Sequence, residues 1–144
     1  MELFRSMGIS ASGMQAQRTM VNVISVNLAN VQTTRTEQGG PYRRKQAIFS
    51  SSPPNQRFPD LLATRMGQEP AGVKVEVVED PRKGETIYDP THPDADESGV
   101  VNLPNVNMIE EMVSLLGAMR SYEANVTAFN TAKSMAVKSL EIGK

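Results

Sequence analysis

All nine prolines lie between Pro41 and Pro104, which leaves a proline-free arm of 40 residues at each end of the 144-residue chain. Proline removes a backbone donor and clashes with the preceding turn, so it breaks helix interiors. The arms are therefore free to form long helices, while the middle must be built from turns and short strands. This divides the chain into a helical arm with its following turn at 1–40, a small β and loop region at 41–104, and a C-terminal helix at 105–144. The expected fold class is α+β, with the two long terminal helices forming a coiled-coil-like axial core.

Periodicity supports the helices. In the first arm Met7, Met14, Val21 and Leu28 recur every seven residues, with Ile24 and Val31 at the paired position and Ser10 and Gln17 weakening its first half. In the second arm Met108, Met112, Leu115, Met119, Tyr122, Val126, Phe129, Ala136 and Leu140 form a fuller seam, interrupted by Lys133. Asn107 followed by Glu110 predicts an N-cap with a return contact, and Glu110 and Glu111 suit the positive end of that helix. Lys138 and Lys144 suit its other end.

In the middle region, residues 42–50 and 73–78 have strand composition, the latter with Val73, Val75 and Val77 alternating, and 85–90 is a third candidate. The stretch between Asp80 and Gly84 predicts a hairpin turn joining the last two. Residues 51–72 carry little pattern and predict an irregular loop.

Charge and composition exclude several function classes. A net charge of −1 provides no field for phosphate backbones, and Arg43, Arg44 and Lys45 are the one compact basic cluster, so nucleic acid is not expected as a partner. The chain has no cysteine, hence no disulfide or thiolate metal site. The N-terminal MELFRSMGIS lacks the apolar stretch of a cleaved secretory signal.

Chemistry has little foothold. DADESG, residues 94–99, imitates the start of a calcium loop, but its twelfth place is Asn105 instead of a bidentate glutamate and no helix leads into it, so a solvated turn is expected. His92 is the single histidine, set between prolines in DPTHPD, which leaves no paired-histidine or metal cluster. No nucleophile elbow or glycine-rich phosphate motif occurs. No enzyme activity, cofactor, metal or small-molecule substrate is expected.

The first arm reads better as a contact surface. Between Arg18 and Arg35 its outer positions carry neutral amides and hydroxyls where a solvated helix would carry Glu and Lys. Gly8, Ser10, Ala11, Ser12, Gly13 and Ala16 admit a close neighbour, unless the helix begins only after Gly13. In VNLANVQTTRT, residues 26–36, Asn30 fits a helix C-terminus and Asn27 fits a bond across to another helix. The seams and this amide pair make up the expected subunit interface: Met7, Met14, Val21, Ile24, Asn27, Leu28, Asn30 and Val31 from the first arm, with Met112, Leu115, Met119, Tyr122, Val126 and Phe129 from the second.

Several long motifs, in order, also carry a resemblance. ISASGMQAQRTMVNVISVNLANVQTTRT from Ile9, YDPTHPDADESGVVNLPNVN from Tyr88 and MVSLLGAMRSYEANVTAFNTAKSMAVKSLEIGK from Met112 resemble the bacterial flagellar axial family of rod and hook proteins. The resemblance implies a structural subunit of the proximal basal-body rod, the shaft that carries torque across the periplasm. It implies export through the flagellar type III apparatus and polymerisation through both terminal helices, with copies of the chain and other rod subunits as partners. A soluble coiled-coil adaptor would share the seams and is the alternative reading.

Overall fold

The computed structural model describes residues 2–52 and 72–142. Helix α1, Glu2–Ala29, leads into strand β1, Lys45–Ser52; strands β2, Gly72–Glu79, β3, Thr86–Tyr88, and β4, Val100–Asn102, follow, and helix α2, Met108–Ile142, closes the chain. The α+β class and the two terminal helices match the expectation from proline placement. The ends of the segment read as an irregular loop, 51–72, fall in β1 and β2, and the rest of it lies outside the described residues.

Helix α1 runs through Gly8 and Gly13 instead of starting after them. It stops at Ala29, where the Asn30 side-chain amide donates to the Val26 carbonyl at 2.9 Å and so serves one of the carbonyls left open at the helix end. Helix α2 starts with the anticipated N-cap, though without the return contact from Glu110: Asn107 Oδ1 accepts the backbone N–H groups of Ile109 at 3.0 Å and Glu110 at 3.3 Å.

β1 pairs with β2, and β3 pairs antiparallel with β4. The expected hairpin between β2 and β3 is therefore corrected, because residues 80–84 connect two different sheets. Two local constraints explain this. Gly84 lies so close to the Leu103 carbonyl that an added Cβ would sit inside it, and Leu103 N–H donates to the Glu85 carbonyl at 2.8 Å, so β3 is drawn toward β4. The hairpin that does form is β3–β4, whose loop contains DADESG and turns at Gly99, with φ of 73°.

The chain divides into two compact units. One is drawn from Met1–Thr19, Ile48–Glu76 and Gly117–Lys144. Among the described residues its buried ones are small: Gly13, Ala16, Ala118 and Ala132. Gly13 admits the Asn125 side chain so closely that a Cβ would stand 2.9 Å from its Oδ1, and Ser12 Oγ accepts the Val73 N–H at 3.1 Å. The other unit is drawn from Met20–Ala47 and Val77–Leu116. Ile24, Tyr42 and Val101 are buried in it together with three polar residues, Asn27, Asp80 and Glu111.

Candidate assembly surface and its polar support

The second unit holds both the most completely bonded polar cluster and a broad exposed apolar helix face. The cluster begins at Asn27, which is 0% exposed and uses every hydrogen-bonding position of its carboxamide. Its Nδ2 donates to the Lys45 carbonyl at 2.8 Å and to Glu111 Oε2 at 3.0 Å, while its Oδ1 accepts the Lys45 N–H at 3.0 Å and the Tyr42 hydroxyl at 2.9 Å. Asn27 thus does reach another helix, α2, and also holds the first residue of β1.

Glu111, 1% exposed, completes the arrangement by accepting from Arg44 Nε. Arg44 also stands 3.7 Å from Asp80 Oδ2, and Asp80 accepts from Gln46 Nε2 at 2.8 Å and from Arg82 through both carboxylate oxygens. Asn105 ties the residue just before β1 to the 80–84 connection, accepting the Arg44 N–H at 2.7 Å and donating to the Arg82 carbonyl at 2.9 Å. The buried Glu111 and Asp80 carboxylates are balanced by the largely buried Arg44 guanidinium and by that of Arg82, which reaches in from the surface; pairing is the condition for keeping charge inside a fold. Hydrogen bonds from the Arg82 side chain and backbone hold the Asp80 carboxyl down at about 2. Burial, and then the Glu111 and Glu79 carboxylates, push the Tyr42 hydroxyl above its ordinary value, so it stays protonated as a donor to Asn27.

Facing outward on α2, Ile109 is 73% exposed, Val113 64%, Leu116 59% and Met112 54%. Spacings of three and four residues place them on one side of the helix, opposite Glu111. Exposed apolar patches of this kind occur at protein, membrane and ligand contact sites.

The expected interface residues scatter across these environments. Ile24 and Asn27 are buried; Met7, Met14, Val21, Leu28, Asn30, Val31, Leu115, Tyr122, Val126 and Phe129 are half-buried; Met112 and Met119 are exposed. The basic cluster resolves into separate parts: Arg43 is exposed, Arg44 pairs with Glu111, and Lys45 gives its backbone to Asn27. In the DADESG loop, Asp94 accepts the Thr34 hydroxyl at 2.7 Å and faces Arg35 at 3.8 Å, so this acidic turn anchors the segment that leaves α1. Reading the sequence placed Glu111 at the helix dipole and missed its inward role. The available signal was its seven-residue spacing with Ala118, Asn125 and Ala132.

Comparison with known proteins adds to this geometry. Residues 7–35 match the family model for flagella basal body rod protein, and residues 97–142 match that for the C-terminal part of the flagellar basal body rod FlgEFG protein. The flagellar basal-body rod protein FlgC of Bacillus subtilis is 45% identical, with 100% of both chains covered. The chain belongs to the FlgC family of flagellar basal-body rod proteins. FlgC of Borreliella burgdorferi is 44% identical over 99% of this chain and 98% of its own, and FlgC of Salmonella typhimurium is 37% identical over 100% of both. FlgC membership places the chain in the flagellar basal-body rod as a structural protein of motility. Both family-model matches include residues of the polar cluster: Asn27 lies in the first, and Asn105 and Glu111 lie in the second.

Proposed function

We propose that this FlgC-family chain is a self-associating subunit of the proximal rod, contacting copies of itself and other rod proteins through its terminal helices to form a torque-transmitting shaft across the periplasm. The observation that carries this reading is the exposed stripe of Ile109, Val113 and Leu116 on α2, which leaves large apolar side chains in water unless another chain covers them. An axial tube joins one surface to a different one, repeated from subunit to subunit, so the contact is heterologous. Of the interface residues expected from the sequence, Met112 and Met119 offer the most exposed surface. Ile24 and Asn27 act from within, fixing the helices that carry that surface. Delivery is through the flagellar type III export apparatus.

The test is a chain with Val113→Asp and Leu116→Asp, expressed in place of the natural one. Unchanged thermal unfolding of the purified chain, normal export and loss of basal bodies with a rod are expected. Full motility would refute the assignment of this face.

A further inference from the structure

Leu115, Tyr122 and Phe129 belong to two overlapping seams of α2. One is completed by Met112, Met119 and Val126, the other by Glu111, Ala118 and Asn125. Their centres lie about 50° apart around the axis, half of one residue's rotation. Over its first two turns the structure buries the second: Glu111 is 1% exposed and Ala118 3%, whereas Met112 and Met119 are each at least half exposed; farther along, Asn125 and Val126 are both half-buried. By apolar area alone this is the poorer choice, because methionine removes more carbon surface from water than alanine does.

What the second seam has, and the first lacks, is a charged residue with a complete partner set. Glu111 takes one bond from Asn27 and another from Arg44, and Asn27 has no bonding position left unused. Turning α2 to bury the methionines would pull the Glu111 carboxylate off both donors and leave the Asn27 amide unmatched inside the fold, a cost specific to polar groups out of water. Buried polar pairs are best attested as devices that fix helix pairing at some expense of stability.

We propose that Asn27 and Glu111 select the rotational setting of α2, and that by doing so they keep its methionine seam outside the chain for a neighbouring subunit. The role of the neighbour rests on the rod reading above; the selection itself does not. Asn27 and Glu111 are then positioning residues for assembly, acting through the face they turn outward.

The measurement is methionine oxidation by dilute hydrogen peroxide on the purified full chain, followed by mass spectrometry. In the natural chain Met112 and Met119 oxidise at rates near those of the unfolded chain. In the double variant Asn27→Leu with Glu111→Leu, both are protected by about tenfold or more, because α2 turns them inward. A folded double variant with unchanged Met112 oxidation overturns the proposal. So does a double variant without a cooperative thermal transition, since the alternative seam should then have formed.

A second comparison checks the reverse, changing exposed positions within a common Ala118→Cys background. Replacing Met112 and Met119 with serine in an Ala118→Cys chain leaves the single thiol as slow to label as in Ala118→Cys alone, because the polar pair holds the setting. Fast labelling would mean that the methionines hold it, and would overturn the proposal. Neither measurement reads assembly, so a failure of the rod reading, scored by basal-body yield, is seen separately.

Discussion

The Asn27 side chain and the Lys45 peptide unit bond to each other twice, Nδ2 to carbonyl and N–H to Oδ1, so a helix side chain stands where a neighbouring strand would. This joins α1 to β1 through directional bonds. Replacing Asn27 with alanine leaves the Tyr42 hydroxyl, the Lys45 backbone and one Glu111 oxygen short of a partner, and each buried unpaired group costs about 1–3 kcal/mol. Partial entry of water brings the expected loss to about 3 kcal/mol, a fall in Tm of about 6–12 °C for a chain of this size. Thermal unfolding followed by circular dichroism checks it, and a fall below 2 °C would show that the bonds carry little.

Acid dependence follows from Asp80. Its carboxyl is held at about 2, below the ordinary 3.8, chiefly by hydrogen bonds from Arg82. A folded-state value below the unfolded one gives stability that is fully present above the unfolded value and is lost as pH falls through the folded one. Asp80→Asn is therefore expected to lower stability at neutral pH and to flatten the loss between pH 4 and pH 2, measured as urea midpoints across that window.

Gly13 and Asn125 form a second testable pair. A glycine inside a helix costs about 1 kcal/mol relative to alanine, yet a Cβ here would stand 2.9 Å from Asn125 Oδ1. Gly13→Ala alone is expected to give less than that gain. In an Asn125→Ala chain the same change should recover the full value. A double-mutant cycle by thermal unfolding measures the coupling, and strict additivity would contradict the close contact.

How much of this was legible in the sequence depends on the range of the interaction. Proline placement marked the helical arms, and Asn107 marked the start of α2, because both act locally on the backbone. Half of each seam was also readable: Leu115, Tyr122 and Phe129 are at least half-buried. Val126 is half-buried as well, but at Met112 and Met119 the pattern points one residue past the buried Glu111 and Ala118, because hydrophobic periodicity ranks methionine above glutamate. Only the partners change that ranking, and Arg44 lies 67 residues away. Strand β4 was missed for a related reason: its pairing depends on the close approach of Gly84 to Leu103 across the connection, which no local pattern encodes.

Asp94 is already occupied by Thr34 and Arg35, and the Asp96 carboxylate accepts the Glu97 N–H at 3.1 Å. Calorimetric titration with calcium is expected to show no binding in the micromolar range, and Asp94→Ala to lower Tm by loosening the segment after α1. A stoichiometric heat signal abolished by Asp94→Ala would reverse the assignment of this loop as a structural turn.

The outward face of α2 is tested most directly by photocrosslinking in living cells from a benzophenone side chain at position 116, where Leu116 is 59% exposed. Motile cells carrying the substitution are expected to yield a crosslinked species joining this chain to another copy or to another rod protein, while the same group at Ser114, on the half-buried side, yields none. Motile cells with no intermolecular crosslink from position 116 would contradict the account.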